Sequence, residues 1–466
     1  MAIFAPWELS RRFIAVIGAD FALAWVGATA GELAMRQMRL AEVPRHGIAL
    51  TAAVLAALWL IALYFHDFYT PHRARQPARL VVDLISAAAL TSLMVVALAF
   101  MVPALNLGRR FYGMALLADT VLLIAWRLAL GSLLARWFVS KVLVIGDGER
   151  AKLISQELER HGHLGYQLVD FVALESLKMP KLAAGVGSSA ISAPRPVSIA
   201  GTEAIGSEVR TVVLADPNAS PIPTRQLLMW RICGVDVVDF ESFYERLTGR
   251  LPLSQLRESW LIVAPGFLRS TPRECLKRVV DVIAASLLAI LTLPVAALIA
   301  VAIKLDSPGP VIYRQKRVGQ NGRVFDIYKF RSMYHNAEAL SGPVWAKAQD
   351  PRITRVGRVI RKLRLDELPQ LVNVLKGDLS IVGPRPERPE LVPRLAQEIP
   401  FYEYRHVVKP GLTGWAQVCY PYGSTIKDAE EKLSYDLYYV KNRSLIFDLQ
   451  IIVQTIKVVL FGRGAR

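Results

Sequence analysis

Five long apolar runs decide what this chain can fold into, because each must find either lipid or a protein interior. Four of them open the sequence, at roughly 13–34, 47–65, 84–104 and 113–133. Each is close to the ~20 residues a helix needs to cross a bilayer. The start, "SRRFIAV" followed by "ATA", mimics a twin-arginine signal peptide. Three more apolar runs follow closely, so an uncleaved first helix is expected. Arg11, Arg12, Arg73, Arg75, Arg79, Arg136 and Lys141 fall on one side of such a bundle. Arg36, Arg39, Arg45, Arg109 and Arg110 fall on the other, and the basic majority marks the cytoplasmic side. Asp20, Asp119 and Arg127 lie within spans, where pairing inside the bundle is the simplest account.

The fifth run, 275–310, carries Pro294 in its middle, with Lys277 and Arg278 before it and Lys304 after. Proline removes a backbone donor and kinks a helix. In lipid the freed carbonyl costs several kcal/mol unless something satisfies it, and Ser286 or Thr292 is near enough to help. Basic flanks at both ends favour one membrane face for both. A re-entrant helix–break–helix over about 275–305, dipping into one leaflet, is expected.

Between the fourth and fifth runs the character changes. "KVLVIGDGERAKLISQELERHG" reads as a buried strand, a glycine turn and an amphipathic helix. Gly146 and Gly148 with Ala151 approach the dinucleotide fingerprint, a weak signal alone. Asp170 sits about where a ribose-binding acid would be, although in mid-strand. A flexible insert (182–201) and two further strands (209–215, 234–240) complete a small Rossmann-like α/β domain, a fold that does not fix a ligand.

The 466 residues leave room for two or three domains; 53% are hydrophobic and the net charge is +17. That balance suits nucleic acid, anionic lipid or phosphorylated substrates. No zinc-finger spacing, RNA-binding aromatic signature or helix-turn-helix is present, which leaves membrane and phosphate. Cys233, Cys275 and Cys419 lie too far apart in sequence to suggest a disulfide framework or zinc site.

In the last third, "RLDELPQL" sets Asp366 beside Glu367. At about 6 Å and an effective dielectric near 20 their repulsion is roughly 3 kcal/mol. Before them, Ile353, Val356, Ile360 and Leu363 recur at helical spacing among Arg352, Arg355, Arg358, Arg361 and Lys362, the pattern of a basic amphipathic helix at a lipid interface. That helix is expected to end at 365–367, ahead of Pro369. A second interrupted apolar stretch, 444–461, is expected to lie on a surface. Lys329, Arg331 and Arg361 are phosphate-binding candidates, and Arg385, between two prolines, is a stiffly mounted one. Gly319, Gly322, Gly377 and Gly383 permit tight turns.

The stretches "YRQKRVGQNGRVFDIYKFRSM", "RKLRLDELPQLVNVLKGDLSIVGPRPE", "KPGLTGWAQV" and "YDLYYVKNRSLIFDL" together resemble the bacterial sugar transferases, the monotopic phosphoglycosyl transferases. The preceding spans and α/β domain are similar to the large form, which makes polyprenyl-linked hexose-1-phosphates for exopolysaccharide. The resemblance is detailed over about 275–466. It implies a membrane protein of α plus α/β class: a four-helix transmembrane bundle (1–140), a Rossmann-like domain (141–262) and a mainly α catalytic domain (263–466) with a re-entrant helix. It further implies Mg2+, with Asp366 matching the nucleophile, Glu367 the metal-associated carboxylate and Arg385 a nucleotide-phosphate position. Implied partners are a UDP-sugar, a polyprenyl phosphate and the lipid bilayer, with no nucleic acid. The implied location is the bacterial inner membrane, catalytic domain on the cytoplasmic face. The spans and the α/β domain offer surfaces for a homodimer.

Alternatives lack their marks. A nucleotide-sugar dehydratase would need Tyr-x-x-x-Lys, and none of the fifteen tyrosines has a lysine four residues on. No Asp-x-Asp element favours a metal-dependent glycosyltransferase, and many-span phosphoglycosyl transferases have more helices. A membrane scaffold or sensor with a nucleotide-binding α/β domain is the remaining alternative.

Overall fold

Small residues at helical spacing let the first four helices approach closely. A computed structural model describes residues 11–37, 48–66, 68, 77–102, 109–137, 140–146, 148–160, 166–172, 209–216, 224–267, 270–334, 350–421, 423 and 425–460. The insert at 182–201 and Arg39, Arg45, Arg73 and Arg75 lie outside them. Helices α1 (Arg11–Gln37), α2 (Ile48–Phe65), α3 (Pro77–Met101) and α4 (Arg109–Trp137) share one buried apolar cluster. Ala24, Ala28, Ala52, Ala56, Ala62, Ala87 and Ala115 are all in it. A Cβ at Gly31 would sit 2.9 Å from Ala115, so glycine is what lets these backbones meet. The charges within these apolar helices pair as expected in one case: Arg127 donates to Asp20, which also accepts from Trp126 Nε1 at 3.2 Å. Asp119 is fully buried against Gly27.

Alternation builds the next layer. Strand β1 (Ser140–Ile145) is followed by α5 (Glu149–Arg160), β2 (Tyr166–Val172), β3 (Val209–Leu214), α6 (Thr224–Ile232), β4 (Asp236–Asp239) and α7 (Phe240–Thr248). The four strands form one parallel sheet in the order β2-β1-β3-β4. Val142 and Val144 turn to α5 and α7, whereas Leu143 and Ile145 turn to Trp230 of α6. Period two thus covers both faces with helix. Gly146 has φ +124°, which a side chain would strain.

The chain divides into two compact units, and the second runs from Thr248–Arg466. After α8 (Glu258–Val263) it is dominated by α9 (Thr271–Asp306), 36 residues long and so about 54 Å. Among the described residues three helices are long and apolar enough to cross a membrane: Leu80–Met101 in α3, Phe111–Ala129 in α4, and α9. α1 and α2 hold the shorter apolar stretches Val16–Gly31 and Leu50–Phe65. Several apolar helices therefore fit membrane association.

The expected break in α9 is absent: helix continues through Pro294. The Thr292 hydroxyl donates to Leu288 O at 2.6 Å, its own preceding turn, rather than to the Ile290 carbonyl that the proline leaves free. The middle of α9 bares Ile283, Leu287, Leu291, Leu293 and Leu298, while both ends are tied to the same unit. At the start, Lys277 Nζ donates to Asp448 (2.7 Å) and Asp281 accepts from Ile381 N (3.1 Å). At the end, Ile299 and Ile303 pack on Phe330 and Ile360.

Strands β5 (Ile312–Val318) and β6 (Val324–Phe330) form an antiparallel hairpin. Its turn uses positive φ at Asn321 and Gly322, the twist-matched Asn-Gly choice. Then come α10 (Arg355–Lys362), α11 (Gln370–Lys376), β7 (Ser380–Val382), α12 (Val392–Glu398), β8 (Gly411–Thr413), α13 (Trp415–Cys419), α14 (Ile426–Asn442) and α15 (Leu445–Leu460). Trp415 stacks on Tyr438 and both meet Phe447 edge to face, so the "YDLYYVKNRSLIFDL" run is largely scaffold. α15 buries Phe447 and Ile451 and exposes Ile446, Leu449, Ile456 and Val459.

Candidate active site

The acidic pair does not sit at the end of α10. That helix stops at Lys362, and Arg364 adopts left-handed φ 58°. A separate 3-10 turn, Leu365–Glu367, then carries both acids into α11. A left-handed arginine costs about 1–2 kcal/mol; what it gains is a sharp corner that points the acids inward. Asp366 and Glu367 are only 9% and 8% exposed.

The start of α10 is fixed by two caps. Thr354 Oγ1 accepts from Gly357 N (2.9 Å) and Asp306, the last residue of α9, accepts from Val356 N (3.1 Å). Gly357 lies against Ser332, where a Cβ would come within 2.0 Å of the carbonyl oxygen. The apolar stripe expected to face lipid is divided. Ile360 is buried and Val356 packs on the α9 cluster, because the end of α9 needs cover; Leu363 remains exposed, as does Val359, which the stripe did not include.

Three cations converge on one oxygen. Glu367 Oε1 accepts from Arg385 Nη2 at 2.7 Å and lies 3.5 Å from Lys329 Nζ and 3.8 Å from Arg364 Nη1. The repulsion posed by the sequence is thus relieved by the chain's own cations. Burial pushes the Asp366 carboxyl above its ordinary range and the Glu367 charge adds to that; Lys329, Arg361 and Arg364 offset it in part. For Glu367 burial also opposes ionisation, yet Arg385, Lys329 and Arg364 hold it well below the usual carboxylate range.

Arg385 is mounted from behind. Its carbonyl accepts from Arg405 Nη2 (2.9 Å), and Arg405 pairs with buried Asp436 at 2.8 Å. Arg317 Nη1 holds the next carbonyl, Pro386 O, at 3.0 Å. Lys329, Asp366, Glu367 and Arg385 are therefore brought together, with Arg361 close enough for its charge to act on Asp366.

Arg331 has another task. It is 5% exposed and donates to Pro308 O (2.8 Å), Ser307 O (2.6 Å) and Ile303 O (3.2 Å), the carbonyls ending α9. These bonds make it a helix cap, not a group facing Glu367. On β6 the side chains alternate, and Arg331 lies just past the strand where the chain leaves the pair. Gly146 and Gly148 belong to the other compact unit.

Sequence reasoning did not single out Arg364, Arg405, Asp436 or Gln370. The last is 2% exposed, with an Nε2 lacking a partner among the described residues. Asn373 also escaped notice. Its Nδ2 donates to Asp326 O (2.7 Å) and its Oδ1 accepts from Tyr328 N (3.0 Å), fastening α11 to β6. An asparagine inside an otherwise apolar "LVNVL" was the available signal.

Comparison with known proteins places the segment that carries this site in a family. The family model for bacterial sugar transferase matches residues 272–462. A UDP-N-acetylgalactosamine-undecaprenyl-phosphate N-acetylgalactosaminephosphotransferase of Aeromonas hydrophila is 46% identical over 243 residues, 52% of this chain and 56% of that protein. The UDP-glucose:undecaprenyl-phosphate glucose-1-phosphate transferase of Escherichia coli (strain K12) is 44% identical over 185 residues, 39% of each chain. The exopolysaccharide production protein PSS of Rhizobium leguminosarum bv. phaseoli is 43% identical over 187 residues, 39% of this chain and 93% of that protein. This chain belongs to the bacterial sugar transferase family. It spans little more than half of the Aeromonas relative and about two fifths of the Escherichia one.

Proposed function

We propose that the protein transfers a sugar-1-phosphate from a UDP-sugar to a polyprenyl phosphate, of which undecaprenyl phosphate is the instance named for its relatives. The observation that carries this reading is the buried Asp366–Glu367 pair, with Arg385 hydrogen-bonded to Glu367 and Lys329 within 3.5 Å of it. Asp366 is left as the acid without such a clamp. Its carboxylate oxygen attacks the phosphorus next to the sugar; the bond from that phosphorus to the UMP oxygen breaks, and UMP leaves with the electron pair. An oxygen of the lipid phosphate then attacks the same phosphorus, the acyl-phosphate bond breaks, and Asp366 is regenerated. Arg385 and Lys329 stabilise the phosphate charge that builds on each transfer.

Magnesium was expected, and the residues fit it in one form only. Among the described residues no group of three or more His, Cys, Asp or Glu could hold a metal. Mg2+ is commonly held by one or two carboxylates plus substrate phosphates. Glu367 would hold an ion that arrives with the diphosphate, supplying charge neutralisation when bound.

The rest of the molecule supports a membrane setting. Both ends of α9 are held by one unit and its bare middle is apolar, which favours a re-entrant dip over a crossing. Such a dip places the acids at headgroup level, where a water-soluble donor and a lipid acceptor meet. The spans α1–α4 and a cytoplasmic catalytic unit in the inner membrane complete this reading. The parallel sheet with its Gly146 turn supports a Rossmann-like assignment.

The decisive test is mass spectrometry of protein quenched during turnover with a panel of UDP-sugars. A hexose-phosphate adduct on Asp366 is expected. Turnover by direct displacement, with the protein unmodified, rules the scheme out.

A further inference from the structure

Three glycines join two distant motifs and thereby deliver a neighbour to Arg385. β7 and β8 pair in parallel, Ser380 with Gly411 and Val382 with Thr413. A Cβ at Gly383 would lie 2.4 Å from Lys409 O, one at Gly411 2.1 Å from Gly383 N, and one at Gly414 2.2 Å from Gly383 O. Only bare backbone fits on both sides of this contact. α13 begins directly after Gly414, so its Gln417 comes to rest beside Arg385. Gln417 Oε1 accepts from Arg385 Nη1 at 2.8 Å, while Nη2 donates to Glu367 at 2.7 Å.

The amide orientation follows from chemistry, since an NH2 turned toward a guanidinium would set donor against donor. The amide accepts a cost for that placement. Its Nε2 is closed off from solvent and has no hydrogen-bond partner among the described residues. The backbone of Arg385 is secured separately by Arg405. What Gln417 controls is the guanidinium itself.

We infer that Gln417 is a positioning residue for the phosphates of the nucleotide donor, acting through Arg385. The inference rests on the transferase reading of this site. Nη1 is pinned to Gln417 while Nη2 engages Glu367, and the Nη2 bond is exchanged for a phosphate oxygen when the donor arrives. Without the amide, both nitrogens are free to close on the Glu367 carboxylate as a bidentate pair, a stronger clamp that the phosphate must break. Gln417 thus keeps the resting contact weak enough to trade.

The test is calorimetric titration of the full chain, in lipid nanodiscs, with UDP as the probe. Gln417→Ala is expected to weaken UDP binding about tenfold, the scale of one hydrogen bond to a charged group. Arg385→Ala weakens it further, and the double variant binds no more weakly than Arg385→Ala alone, because the amide has nothing left to act on. Gln417→Leu, which keeps bulk without an acceptor, shows the same loss should the alanine variant fail to fold. Unchanged UDP affinity in both Gln417 variants overturns the inference, as does a double variant whose losses multiply. Absence of UDP binding by the wild-type chain removes the transferase reading itself, and the inference with it.

Discussion

Arg385 Nη2 and Glu367 Oε1 lie 2.7 Å apart, and they come from segments 18 residues apart in the chain. The contact makes the resting site a self-neutralised one. A cation entering by itself must displace Arg385 and contend with Lys329. An entering diphosphate instead offers those cations a new partner and frees the carboxylate.

Glu367→Gln is therefore expected to lower transfer at least tenfold and to flatten its Mg2+ dependence, since a neutral amide neither attracts the metal nor holds both cations. Rate measured against Mg2+ concentration checks this. An unaltered metal titration would remove Glu367 from the metal's neighbourhood.

Arg331→Ala separates capping from phosphate binding. Removing the guanidinium strands buried carbonyls at the end of α9, at roughly 2–4 kcal/mol for a buried charged donor. The melting temperature in detergent should fall by several degrees, with the donor KM of the remaining folded protein unchanged. A raised KM at unchanged stability would restore the phosphate role expected from sequence.

The acidic limb of the pH–rate profile should belong to Asp366. Burial and the Glu367 charge raise its carboxyl, and only the ionised form attacks phosphorus. Activity accordingly falls as pH drops through this raised value, above the ordinary aspartate range. Glu367, held low, stays ionised throughout that window. Lys329→Met, which removes a cation favouring ionised Asp366, should move the limb to higher pH. A shift to lower pH would contradict the assignment.

For α9, single cysteines placed just before Lys277 and just after Lys304, in a chain with the native cysteines replaced, should both react with an impermeant maleimide from the cytoplasmic side only. Reaction from opposite sides would establish a crossing helix.

The apolar runs, the alternation of β1 and the charged motifs made most elements legible from sequence, because burial and period are written into residue type. The site's components were legible too, but not their assignments. Lys329 and Arg331 look equivalent in "YKFRSM"; only the ending of α9 distinguishes them. Asn321-Gly322 is a hairpin signal that was available and is used. Nothing in an arginine announces a left-handed φ at 364, since tertiary packing imposes it against local preference. The break expected at Pro294 failed because a proline removes one hydrogen bond without ending a helix whose neighbouring turns persist.

Lys329 and Arg331 stand two residues apart on one extended segment, the first leaning on the acid pair and the second gripping the last turn of α9. That separation is about 7 Å of nearly inextensible chain. Any displacement of the seat of α9 is passed, over two peptide units, to an ammonium beside the buried acid pair.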